Sequence, residues 1–162
     1  MNLYHFKNLL RRTLDADSSS PAAAWGLLLL RGGAGALIFY IHGWHKLEGG
    51  VAFLRDGTPW QLAKEVGEMH FPAPVASAFA ATAAQFLCAP LLALGLCTRL
   101  SAVVLTGVLG VAIAQNMLAD RDPQLAILYT LVVAAFALLG GGRFSLDGFI
   151  THKHSTQKPA KS

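Results

Sequence analysis

Three stretches of this 162-residue chain, residues 75–96, 100–117 and 124–139, contain no charged side chain, and a fourth, 22–41, contains one, Arg31. A helix rises 1.5 Å per residue, so about twenty residues cover a hydrocarbon core of about 30 Å. A helix in water must present a polar face, and these runs have none to present. The chain is 54% hydrophobic and 14% charged, more apolar surface than one domain of this length can hide from water. The expected fold class is all-α: an integral membrane four-helix bundle with a short amphipathic helix in the first extramembrane loop.

Three regions follow from the punctuation between the runs. Residues 1–20 carry Leu3, Phe6, Leu10 and Leu14 at helical spacing with Lys7, Arg11 and Arg12 between them, which predicts an amphipathic arm on the cytoplasmic membrane surface. Residues 21–149 hold the four spans. Ser18-Ser19-Ser20-Pro21 supplies an N-cap and a first-turn proline for the first. No small-residue cleavage site closes that span, which ends in the aromatic stretch Phe39 to Trp44, so it reads as a retained helix. In the following loop, Thr58-Pro59-Trp60 with Leu62, Ala63, Val66 and Met69 predicts the amphipathic helix, lying across the bundle mouth. Pro72 and Pro74 open the second span. Only Cys97-Thr98-Arg99 separates it from the third, which makes those two helices antiparallel neighbours. Asp120-Arg121-Asp122-Pro123 precedes the fourth and Gly140-Gly141-Gly142 ends it. Residues 150–162 form a polar basic tail.

The net charge of +4 comes from both ends of the chain, which fits anionic lipid better than nucleic acid. Lys7, Arg11, Arg12, Arg99, Arg143, Lys153, Lys158 and Lys161 fall on one side of the expected bundle. Lys46, Arg55, Lys64 and Arg121 fall on the other among six acids, so both termini are expected to be cytoplasmic.

Arg31 is the most informative side chain. A guanidinium in mid-span costs at least about 3 kcal/mol and should face the bundle interior. No Asp or Glu lies in the other three expected spans, which leaves neutral acceptors such as Gln85, Thr82, Gln115 and Asn116, free backbone carbonyls, or an anionic or carbonyl-bearing ligand. The competing reading is a structural arginine satisfied by protein carbonyls and water. His42 and His45 stand at i and i+3 and could hold a metal with His70, Met69 or Asp120, copper or zinc by ligand type, although histidines beside Trp44 are also ordinary interface residues. Metal is the lesser expectation. Haem is not expected, since the spans hold no histidine. Cys88 and Cys97 lie on opposite helix faces and read as packing residues, Cys97 being the more reactive of the two for its place near Arg99. The glycines of the first and third spans read as helix-packing positions, and they make a homo-oligomer plausible.

Three pieces in this order resemble the DoxX family of small four-helix membrane proteins over about residues 27–147. They are Leu30-Arg31 leading to His42-Gly43-Trp44-His45-Lys46-Leu47-Glu48-Gly49-Gly50; Phe71-Pro72-Ala73-Pro74 leading to Leu94-Gly95-Leu96-Cys97-Thr98-Arg99; and Gly140-Gly141-Gly142-Arg143-Phe144-Ser145-Leu146-Asp147. The resemblance implies a bacterial inner-membrane protein tied to redox stress or metal homeostasis, the family name deriving from a membrane part of a thiosulfate:quinone oxidoreductase. Many relatives carry glutamates where this chain has Gln85 and Gln124. Residues and resemblance together give the expectation of an accessory redox subunit. It would bind a quinone-like or lipid head group near Arg31, His42, Gln85, Gln115 and Asn116, with the electron-carrying cofactor on a partner protein. The alternative is a non-enzymatic membrane component that supports copper homeostasis or stress response by scaffolding or small-solute passage, with a metal-handling partner.

Overall fold

The first helix begins where the sequence sets its cap: the Ser20 hydroxyl accepts the Ala23 N–H at 3.1 Å and Pro21 occupies the first turn. The computed structural model describes residues 20–155, with side chains to residue 150; the arm at 1–19 and residues 156–162 of the tail lie outside the described residues. The elements are α1 (Pro21–Leu37), a π-helical stretch (Ile38–Trp44), α2 (His45–Asp56), α3 (Gln61–Glu68), α4 (Pro74–Leu94), α5 (Thr98–Leu118), α6 (Gln124–Leu139) and α7 (Leu146–Ser155). No strand occurs among the described residues.

Pro21–Asp56, α4 and α5 are long and apolar enough to cross a membrane, and α6 is a shorter apolar helix. Their burial pattern is that of a protein in lipid. Ile38, Leu92, Leu105, Val133 and Phe136 form a closed centre, while Leu29, Leu87, Leu100, Leu131 and Leu138 stand exposed on the outer surface. α1 lies close against α4 because Gly35 has no side chain: a Cβ there would stand 2.7 Å from the Ala89 carbonyl oxygen. α3 covers one end of the bundle, burying Leu62, Ala63 and Val66 against Ala78 with Trp60, as its amphipathic spacing predicts.

The first helix reaches beyond the expected span, 22–41. The helix runs on without a break to Asp56, 36 residues in all, and stops at Gly57, whose φ of +66° suits glycine. Nothing between residues 42 and 56 breaks a helix. Gly49 and Gly50 instead leave room for the Trp60 ring, within 3.2 Å of where a Cβ would stand at either.

Arg31 meets the competing reading of its position, a structural arginine satisfied by protein carbonyls. The guanidinium sits level with the ends of α4 and α6, and protein carbonyls take its N–H groups. Nε donates to Ala93 O at 3.2 Å, Nη2 to Phe144 O at 3.0 Å and Nη1 to Gly141 O. These are helix-end and loop carbonyls that no helical N–H can reach. Only glycine fits around the charge: at Gly95, whose φ is +73°, a Cβ would collide with the guanidinium.

Asp147 completes this end of the bundle. Its carboxylate accepts the backbone N–H groups of Cys97 and Thr98 and the Thr98 hydroxyl, each at 2.8 Å, and so caps α5 from fifty residues downstream. Its own N–H donates to Gly95 O at 2.9 Å. Burial alone would raise the Asp147 pKa, but the donors at Thr98 and Cys97 and the charge of Arg31 hold it below the usual carboxylate range.

Replacing Arg31 by Ala strands three carbonyls at about 1–3 kcal/mol each, so the unfolding midpoint in detergent should fall by several degrees or more. Arg31→Lys should restore little of it, because one ammonium cannot span the three positions. A depressed folded-state pKa means that Asp147 stabilises the protein above the ordinary carboxylate value of about 3.9, and that this contribution disappears as pH falls through the lower folded value. Asp147→Asn should therefore lower the midpoint at neutral pH, and the gap from the parent protein should close below about pH 4 in a pH series of melts.

Candidate functional site

A second polar region lies past the apolar centre, away from Arg31. The π-helical stretch widens the first helix by one turn of i→i+5 bonding and ends against α4, where a Cβ on Gly43 would be 3.4 Å from the Phe86 Cα. This places His42 and Lys46 on the wall of a cavity of about 320 Å³, together with Gln85 of α4, Gln115 and Asn116 of α5 and Tyr129 of α6. The His42 ring meets the Tyr129 ring edge-on at 5.8 Å.

Gln85 is the unusual member. It is 1% exposed, and its side-chain oxygen has no hydrogen-bond partner among the described residues. A buried amide oxygen without a partner costs about 1–3 kcal/mol, a burden found at binding sites more often than in plain packing.

Polar contacts gather along one rim of the cavity. Glu65 of α3 accepts hydrogen bonds from Gln115 of α5 and, at 3.0 Å, from Gln61, and it pairs with Arg121 at 3.1 Å. Asp122 also lines the cavity, so two basic side chains, Lys46 and Arg121, face two acids, Glu65 and Asp122. The electrostatic balance suits an uncharged, hydrogen-bonding guest over an anion.

Of the residues singled out in the sequence, His42, Gln85, Gln115 and Asn116 meet in this cavity and Arg31 does not. Thr82 spends its hydroxyl on Ala78 O at 2.8 Å. His42 and His45 diverge. His42 faces inward, while His45 is exposed and paired with Glu48 at 3.3 Å, because the widened turn before it rotates the helix faces out of α-helical phase. No group of three His, Cys, Asp or Glu side chains is placed to hold a metal among the described residues. Cys88 packs half-buried against the core, and Cys97 is exposed in the α4–α5 turn.

Sequence reasoning missed Lys46, Glu65, Arg121 and Tyr129. Lys46 stands four residues after His42, a spacing that marks a shared helix face. Glu65 falls three residues after Leu62, on the apolar side of α3, and an acid on an apolar stripe is a detectable signal. Arg121 and Tyr129 carry no such mark.

Replacing Gln85 by Leu, of similar volume, removes the unpartnered amide. With no ligand added, the variant should melt higher than the parent protein, by roughly 1 kcal/mol of stability. A lower midpoint would mean that the amide is satisfied by the protein after all.

The family model described as DoxX matches residues 26–119, through the first three spans and the cavity wall they supply. No curated protein matches the chain, and no solved structure does. The matched segment covers more than half of the sequence and contains Arg31, His42, Gln85, Gln115 and Asn116: the chain is a membrane protein of the DoxX family.

Proposed function

We propose that this protein is an accessory membrane component of a redox system, and that its polar cavity holds the head group of a quinone-like amphiphile. The observation that carries the reading is the buried, unpartnered oxygen of Gln85 on the wall of a cavity within the spanning region. Around it stand His42, Lys46, Gln115 and Tyr129, side chains able to donate to carbonyl oxygens or accept from hydroxyls. The paired charges at the mouth favour a neutral ring over a phosphate. Arg31, committed to three carbonyls, has no part in binding and serves the fold. In this reading the electron-carrying cofactor belongs to a partner protein, and the chain lies in a bacterial inner membrane with both termini cytoplasmic. The excess of basic residues on the terminal side of the bundle supports that orientation.

The test is anaerobic binding of a decyl-substituted dimethoxymethylhydroquinone, whose hydroxyl can donate to the Gln85 oxygen, to the detergent-purified chain. Gln85→Leu should weaken it about tenfold, the equivalent of one buried hydrogen bond at about 1.4 kcal/mol, and His42→Ala should weaken it less. Affinity that is the same in the parent protein and in both variants would remove the proposed site.

A further inference from the structure

We infer that the occupant of the cavity enters sideways from the bilayer and carries one long hydrocarbon tail, which lies in a groove between α4 and α5; this rests on the head-group reading above. The groove has a volume of about 320 Å³ and an almost wholly apolar wall, with Ala80 and Ala81 of α4 facing Gly107, Val108 and Val111 of α5. It adjoins the polar cavity: Lys46, Leu62, Ala112 and Gln115 line both, and a turn of the Lys46 or Gln115 side chain would join them. A single molecule with a polar end and an apolar end can therefore occupy the two together. Lys46 at the junction has a side chain divided in the same way, an apolar stem and a charged tip.

The direction of entry follows from which side of the site faces lipid and which side is rimmed by charge. Ala80, Gly107 and Val111 are exposed on the flank of two helices long and apolar enough to span lipid, so the groove opens toward acyl chains. The opposite mouth is held by Glu65, tied to Gln115, Gln61 and Arg121. Gly107 also differs from the glycines that serve helix packing. A Cβ at Gly35 would strike α4, whereas one at Gly107 would meet nothing within 4 Å. The absence of a side chain there keeps the groove open.

The test uses the full chain in detergent under anaerobic conditions and three probes, with affinities corrected for micelle partition: the decyl hydroquinone, the same ring without its tail, and a ten-carbon monoacylglycerol. The parent protein should bind the tailed ring at least tenfold more tightly than the bare ring. Gly107→Phe, or Val111→Trp should the first variant fold poorly, should abolish that advantage and leave bare-ring affinity within twofold. Gln85→Leu should weaken both ring probes. Monoacylglycerol that competes with the tailed ring identifies the tail with its polar end as the recognised unit; monoacylglycerol that fails to compete identifies the tailed ring, and the groove stands in both cases. A tail advantage that survives both groove variants overturns lateral binding and leaves the head-group site intact. So does a change of oligomeric state on filling the groove, which would make the groove a contact between two copies of the chain. Bare-ring binding indifferent to Gln85→Leu overturns the head-group site itself.

Discussion

A single guanidinium reaching three carbonyls holds together the end of the bundle where α4, α5, α6 and α7 all start or stop. Helix ends in a low-dielectric setting leave backbone oxygens that water cannot solvate, and a planar cation with five N–H donors meets several of them at once. Arg31 closes the ends of α4 and α6, Asp147 closes the start of α5, and the two opposite charges lie near enough to influence one another. The glycines at 95 and 141 are the space this arrangement needs, since a side chain at either would occupy it.

With the polar demands of one end met inside the protein, the other end can carry polar groups that are not met. The centre between them, from Ile38 through Leu105 to Phe136, is apolar and fully buried, and it separates Arg31 from Gln85. One end has its guanidinium and carboxylate satisfied by the protein. The other keeps an amide oxygen without a partner beneath a cover helix held by ion-pair and hydrogen-bond contacts.

The fold was legible in the sequence because the solvent dictates it: charge-free runs of spanning length have few places to go, and the stop at Gly140 is written in residue type. Arg31 was legible as an anomaly, but its partners were not, since every residue owns a carbonyl and none advertises that it will be free. Gln85, Gln115, Asn116 and His42 were legible as polar residues inside or beside apolar runs, whereas their meeting away from Arg31 depended on how far the first helix extends. That extension was hidden because the aromatic stretch Phe39 to Trp44 looks the same whether a helix ends at the interface or passes through it.

The π-helical stretch acts as one surplus residue stored in the helix. Its presence decides the phase of everything from His45 to Asp56 relative to α1. Wound as regular α-helix with no residue removed, the same stretch would turn the segment beyond by about 100° around its axis. Lys46 would leave the cavity wall, and Gly49 and Gly50 would swing from beneath Trp60, bringing bulkier neighbours against the ring. The wide winding of this short segment is thus as much a part of the site as the identity of any side chain that lines it.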